Sequence, residues 1–333
     1  MKRSRPLIFA VLGGLVLLVC LAALVSGAYR VPAGEVFRLL FFPLSPGSGS
    51  AATVVLDIRL PRLFTALLVG LGLSVSGTVF QGLFRNPLVE PYILGVSSGA
   101  AFGAALSIVL SAAVFPLHLT SFACGMGAMA LALLAAGRRG TLPIVNLILA
   151  GVVINSLFSA GLSFLKLTAG ARELRELTFW LMGGLYVADR HTAGLLAVQV
   201  LPAALVIWSQ GWKLNVLSAG EEEALTLGLR VKFLRGLLMI LAAYVTSLCV
   251  AAVGIVAWVG LMMPHIARML IGPDHRVLIP ASALLGAGFL TLCDTLARTV
   301  TGGEIPVSII TAFLGAPYLL FLIRTNRRVG FAG

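Results

Sequence analysis

Polar side chains recur every four residues in one otherwise apolar stretch of the chain. Asn155, Ser159 and Ser163 stand at positions i, i+4 and i+8, which places them on one face of a helix. An amide and two hydroxyls aligned in this way can exchange hydrogen bonds with a polar solute, so the stripe predicts one wall of a translocation pathway. Serines in apolar helices also bond the carbonyl four residues earlier at little cost, and this back-bonding is the alternative explanation.

The common catalytic patterns are missing from the sequence. No lysine lies in the G-x-x-x-x-G-K-[S/T] pattern that cradles nucleotide phosphates, and H-E-x-x-H does not occur. The four cysteines and four histidines lack metal-ligand spacing, and the cysteines lie in apolar stretches without a C-x-x-C pattern. We therefore expect no enzymatic activity, no catalytic residues, no metal site and no cofactor.

Ionisable residues are equally scarce inside the apolar stretches. Ion-coupled carriers usually place carboxylates at mid-membrane, whereas here only Asp294 falls inside a long apolar run. Arg298 follows one helical turn later and can neutralise that carboxylate. The pattern disfavours an ion-coupled secondary transporter, which is the alternative function.

The composition is that of a membrane protein. Of the 333 residues, 59% are hydrophobic and 11% are charged, and the mean hydropathy of +1.05 exceeds that of water-soluble domains. The net charge of +12 comes from 24 basic and 12 acidic residues, but the basic residues do not form the single patch that binds nucleic acid. They lie at the ends of the apolar runs, so we expect contact with membrane lipid and none with nucleic acid.

Apolar runs long enough to cross a bilayer recur from end to end. We place the spans at 7–28, 62–81, 92–113, 117–136, 142–165, 192–209, 236–252, 255–270, 277–296 and 305–323. One run, 236–270, is divided at Gly254 because both termini are basic and therefore favour the cytoplasm, which requires an even number of crossings. The sequence thus predicts an all-α integral membrane protein of about ten transmembrane helices, with one domain over 1–333.

The longest polar insertion, 211–235, lies on the cytoplasmic side in this topology, which assigns 15 of the 24 basic residues to that side. Within it, 215–229 is amphipathic. Ser218 precedes three glutamates that favour a helix N-terminus, and Gly228 is suited to end the helix. The segment is either a solvated loop helix or a docking element for a cytoplasmic partner.

Eight short motifs, taken together and in order, resemble one family: the FecCD permeases of binding-protein-dependent ABC importers for iron-siderophore complexes, haem and vitamin B12. The resemblance covers nearly the whole chain. The motifs are Arg59-Leu-Pro-Arg62, Gln81-Gly-Leu-Phe-Arg-Asn-Pro-Leu88, Leu94-Gly-Val-Ser-Ser-Gly99, Phe179-Trp-Leu-Met-Gly-Gly184, Gly220-Glu-Glu with Leu227-Gly228, Val259-Gly-Leu-Met-Met-Pro-His-Ile-Ala-Arg268, Asp294-Thr-Leu-Ala-Arg298, and Glu304-Ile-Pro306 with Leu314-Gly-Ala-Pro317.

The resemblance implies a type II ABC importer permease in the cytoplasmic (inner) membrane of a bacterium or archaeon. Two copies of the chain would form the channel, each bound to a separate cytoplasmic ATPase subunit, and a periplasmic or lipoprotein binding protein would deliver the cargo. A heterodimer with a paralogue is left open. For the cargo, iron-siderophore is our first expectation, with cobalamin and haem close behind.

The resemblance also implies two contact sites. Residues of the ATPase coupling segment are Ser218, Gly220, Glu221, Glu222, Ala224, Leu227 and Gly228. On the opposite side, Arg59, Arg62 and Arg298 match positions that contact acidic residues of the binding protein in the family. The alternative is that these arginines anchor the chain to lipid headgroups.

Overall fold

The computed structural model describes residues 5–27, 29–42, 49–110, 115–137, 142–301 and 303–324. Helices account for most of them. The first half contains α1 (Arg5–Val25), α2 (Ala33–Phe41), α3 (Gly49–Ala52), a π-helical segment (Thr53–Arg59), α4 (Leu60–Phe84), α5 (Val96–Leu110), α6 (Leu117–Ala136) and α7 (Ile144–Thr168). The second half contains α8 (Ala171–Leu181), α9 (Arg190–Ser209), α10 (Gly211–Ala219), α11 (Glu221–Thr226), α12 (Val231–Val253), α13 (Val259–Ile271), α14 (His275–Ala297) and α15 (Val307–Arg324).

Ten of the described helices correspond to the predicted spans. Seven are long and apolar enough to cross a membrane by themselves, with α3, the π-helical segment and α4 counted together, and α5, α13 and α15 are shorter apolar helices. The predicted all-α membrane fold is confirmed. Some of the charges that set the predicted topology lie outside the described residues: Lys2, Arg3, Arg138, Arg139, Arg327 and Arg328.

Helix α4 forms the centre of the bundle because small residues let its neighbours approach closely. A side chain at Gly70 would overlap the backbone carbonyl of Gly286 on α14, and one at Gly77 would overlap that of Gly260 on α13. Such contacts between small residues are a main source of attraction between helices in lipid. Nearly every residue from Leu68 to Phe84 is consequently buried within the single chain.

Two predicted spans are only partly helical. Residues 85–95 precede α5 and residues 254–258 precede α13, so the expected division of 236–270 at Gly254 is confirmed, whereas helix at 92–95 is not observed. The two irregular segments contact each other: the Tyr92 hydroxyl donates to the Val256 carbonyl (2.7 Å), and the Glu90 carboxylate accepts the Trp258 backbone N–H (2.8 Å). Non-helical backbone within a membrane protein is tolerated when protein groups satisfy it in this way.

Candidate docking, pathway and coupling sites

Five charged residues meet where α4 and α14 approach the predicted outer face, and we call them the outer cluster: Arg59, Arg62, Asp294, Arg298 and Glu304. Arg62 lies 2.8 Å from both the Asp294 and the Glu304 carboxylates. Arg298 lies 3.5 Å from Asp294. The expected pairing of Asp294 with Arg298 is therefore present, but Arg62 on α4 is the closer partner.

The two other arginines of the outer cluster bind the end of α1. Arg59 donates to the carbonyls of Leu24 (2.7 Å) and Val25 (3.0 Å), and Arg298 donates to that of Ser26 (2.7 Å). The last carbonyls of a helix lack intrahelical partners and carry partial negative charge, so a guanidinium stabilises them. The outer cluster thus ties α1, α4 and α14 together.

The structure brings all three predicted docking arginines to one cavity of about 230 Å³. Arg59 and Arg62 are only 4% and 6% exposed, and their guanidinium groups are already hydrogen-bonded within the chain. The three arginines outnumber Asp294 and Glu304, so the cavity keeps one excess positive charge. A role in docking stays a prediction, and the internal contacts give the arginines a structural role in addition.

The predicted pathway residues lie on the uncovered face of α7. The opposite face packs against α5 and α6, while Asn155, Ser159 and Ser163 are exposed on the single chain. The Ser163 hydroxyl donates to the Ser159 carbonyl at 2.9 Å, as the back-bonding alternative predicts for that residue. Their contact with a solute stays a prediction.

The predicted coupling segment forms two short helices instead of one. Gly220 separates α10 from α11 and is the N-cap of α11. Ser218 does not take that position: it lies inside α10, where its hydroxyl donates to the Asn215 carbonyl (2.8 Å). Helix α11 stops two residues before Gly228, whose φ of +74° suits glycine and whose N–H donates to the Leu225 carbonyl.

Helix α11 is anchored on one side and exposed on the other. Ala224 is fully buried, and Glu221 pairs with Arg235 of α12 at 3.1 Å. Glu222 is exposed, and Leu225 and Leu227 are 59% and 58% exposed. Exposed leucines beside an anchored helix are typical of a protein contact surface.

One residue that the sequence interpretation missed connects α10 to the start of α14. The Asn215 side chain donates to the Asp274 carboxylate (2.7 Å) and accepts the backbone N–H (2.8 Å) and the ring Nδ1–H (2.7 Å) of His275. Asp274 also caps α14, and its bond to the Arg276 guanidinium lowers the pKa of the carboxyl to about 2. The signal in the sequence was the Asp274-His-Arg276 triplet directly after Gly272-Pro273, which marks a helix start.

The chain is similar to permeases of ABC importers over nearly its full length. The molybdate import system permease protein MolB of Haemophilus influenzae is 37% identical over 329 residues, which cover 96% of this chain and 97% of that protein. The cobalamin import system permease protein BtuC of Halobacterium salinarum is 43% identical over 284 residues, which cover 85% of this chain and 76% of that protein.

A solved structure shares the fold. It shows an inward-facing conformation of a protein described as "metal-chelate type ABC transporter". Its sequence is 35% identical, the TM-score is 0.86, and the match covers 96% of this chain and 99% of that chain. The permease subunits of ABC importers are transport components rather than ATPases. The family model of the FecCD transport family matches residues 15–325, and the chain therefore belongs to that family as a permease subunit of an ABC importer.

Proposed function

We propose that this permease imports a metal chelate, with an iron-siderophore complex as the first candidate and cobalamin and haem as alternatives. The proposed location is the cytoplasmic (inner) membrane of a bacterium or archaeon. The observation that carries the cargo class is the 35% identity to the metal-chelate type transporter over 96% of the chain. Molybdate, the cargo named for the Haemophilus influenzae relative, is the competing candidate.

The chemistry of α7 supports a bulky cargo over a small oxyanion. Its exposed stripe of Asn155, Ser159 and Ser163 offers an amide and hydroxyls without charge. Neutral groups hold a large chelate by many weak contacts, whereas a dianion such as molybdate is best held by charged donors.

A second copy of the chain is the proposed cover for the exposed face of α7. An amide and hydroxyls facing acyl chains are unfavourable, so such residues normally face protein or a water-filled cavity. Two copies related by a two-fold axis would place the two stripes across a shared pathway.

The outer cluster is the proposed docking site for the binding protein. Its cavity has one excess positive charge and a volume of about 230 Å³, enough for one carboxylate side chain. We expect Arg298→Gln to slow docking and to flatten its salt dependence, because charges at an interface mainly set the association rate. Arg172→Gln on α8, an exposed arginine outside the cluster, is the matched control. An unchanged rate and salt slope in Arg298→Gln would favour the anchor alternative.

The cargo is tested with the cognate binding protein and the reconstituted transporter. Titration calorimetry of the binding protein with a ferric siderophore, cyanocobalamin, haemin and molybdate gives the ranking. Uptake of the tightest ligand into proteoliposomes confirms it. Selective binding and uptake of molybdate would overturn the chelate proposal.

A further inference from the structure

A groove of about 770 Å³ opens beside α11 and continues along one face of α12. Its floor includes Phe233, Leu237 and Ile240, which lie at positions i, i+4 and i+7 on a helix long and apolar enough to span a membrane. Phe233 and Ile240 are 68% and 44% exposed. The floor therefore offers about 10 Å of uncovered apolar surface along the helix axis, beginning at the predicted cytoplasmic boundary.

The mouth of the groove is basic. Arg230 and Lys232 line it and are exposed. Arg235 lies below them and is only 3% exposed. Its guanidinium pairs with Glu221 and donates to the Leu142 carbonyl, whereas its Nε–H has no hydrogen-bond partner among the described residues. Among the described residues, three basic side chains face one carboxylate, so this part of the mouth has an excess of two positive charges.

We infer that this groove binds one anionic diacyl phospholipid of the cytoplasmic leaflet. The lipid phosphate lies at the exposed Arg230 and Lys232, above the buried charge of Arg235, while an acyl chain covers the apolar floor of α12. Basic residues next to an apolar groove at this depth match the amphipathic shape of such a lipid. A free anion would leave the floor uncovered, and a zwitterionic lipid would leave the two positive charges uncompensated.

Gly236 allows the two halves of the site to be tested separately. It lines the groove, and among the described residues a Cβ added there would meet only Leu142, at 4.0 Å. Gly236→Leu therefore fills the groove without removing a charge, and leucine also favours the helix more than glycine does. Arg230→Gln with Lys232→Gln removes the headgroup contacts and leaves the floor intact.

The experiment is native mass spectrometry of the purified full chain in a neutral detergent, with dioleoylphosphatidylglycerol or dioleoylphosphatidylcholine added at equal concentration. We expect phosphatidylglycerol to be retained preferentially. The double glutamine variant should lose about 25-fold in affinity for it, at about fivefold per basic residue, and Gly236→Leu should lose retention as well. Arg172→Gln with Arg175→Gln on α8 removes the same charge elsewhere and should behave as wild type.

Three results would overturn the proposal. In the first, both groove variants retain phosphatidylglycerol as the wild type does. In the second, sn-glycerol 3-phosphate displaces the lipid at equal concentration, which would identify a site for free phosphate groups. In the third, lipid retention is unchanged but the variants fail to co-purify the ATPase subunit in a parallel co-expression experiment, which would make the groove a protein contact. Unchanged melting temperatures of the variants establish that any loss is local.

Discussion

The outer cluster and the coupling segment α10–α11 are held in place by different forces. At the outer cluster, buried ion pairs and guanidinium–carbonyl bonds join α1, α4 and α14. The predicted coupling segment is held mainly by its buried Leu214, Leu217 and Ala224, and its polar links are fewer: Asn215 to α14 and Glu221 to Arg235 of α12. The comparison indicates a rigid outer face and a cytoplasmic segment with few polar attachments, an arrangement suited to transmitting a partner's movement.

The largest effect is expected from a proline inside α11. Ala224→Pro removes the N–H that bonds the Gly220 carbonyl (3.3 Å) and clashes with the preceding turn, at a local cost of about 3 kcal/mol. We expect uptake to be abolished and the ATPase subunit to be lost on co-purification, while the protein stays in the membrane.

Gly170→Pro is the matched control for this proline. Gly170 lies in the turn between α7 and α8, has a φ of −71° and follows an extended residue, so its backbone accepts proline. The close neighbour of the added Cβ is the end of the Glu173 side chain, which can rotate away. Wild-type uptake in Ala224→Pro would show that α11 is not the contact with the ATPase.

The next largest effect concerns the buried ion pair of the outer cluster. Asp294→Ala leaves Arg62 and Arg298 without their buried counter-charge, and we expect a loss of about 3–5 kcal/mol in unfolding free energy. Glu304→Gln affects a carboxylate that is 48% exposed and should cost less than about 1 kcal/mol. Unfolding in mixed detergent micelles measures both, and equal losses would contradict the rigid outer face.

A smaller loss is expected at Asn215. Asn215→Ala removes the partner of Asp274 and His275 and should lower stability by about 1–3 kcal/mol. More specifically, it should uncouple ATP hydrolysis from transport, so that the ATP consumed per cargo molecule rises. Asn215→Leu, of similar volume, should have the same effect. If stability falls in both variants but the ratio of ATP to cargo stays at the wild-type value, Asn215 is structural only.

The smallest effect is a pH dependence at Asp274. Its pKa is lowered to about 2 by the Arg276 guanidinium, whereas an unfolded aspartate has a pKa of about 3.9. The stabilisation is therefore present above pH 4 and is lost as the pH falls towards 2. The difference in melting temperature between the wild type and Asp274→Asn, measured by thermal unfolding from pH 5 to 2, should show this loss. A difference independent of pH would contradict it.

The sequence predicted the helices better than their interruptions. Long apolar runs define spans such as α7 and α12, because the bilayer requires them. In contrast, the non-helical backbone at 92–95 was missed, because only contacts with the distant segment 254–258, such as that of Tyr92 with Val256, reveal it. Helices α2 and α8 were also missed because they are short and cross no membrane.

The functional-site residues show the same limit, because contacts between distant positions decide where they lie. Ser218 resembled a helix start because glutamates follow it, but the backbone is extended at Gly220, which separates α10 from α11. The hydrogen bonds of Asn215 join it to residues about 60 positions away, so local patterns could not identify them. The inward orientation of Arg59 depends likewise on carbonyls of α1.

The central claim is that this chain transports only when an ATPase subunit drives it. It is tested by uptake into proteoliposomes that contain the chain, the cognate ATPase subunit and the binding protein. We expect uptake to require hydrolysable ATP, to stop when the ATPase subunit is omitted, and to continue when an ionophore removes the proton gradient. Uptake by the chain alone, driven by a proton gradient and abolished by the ionophore, would contradict the claim and identify a secondary transporter.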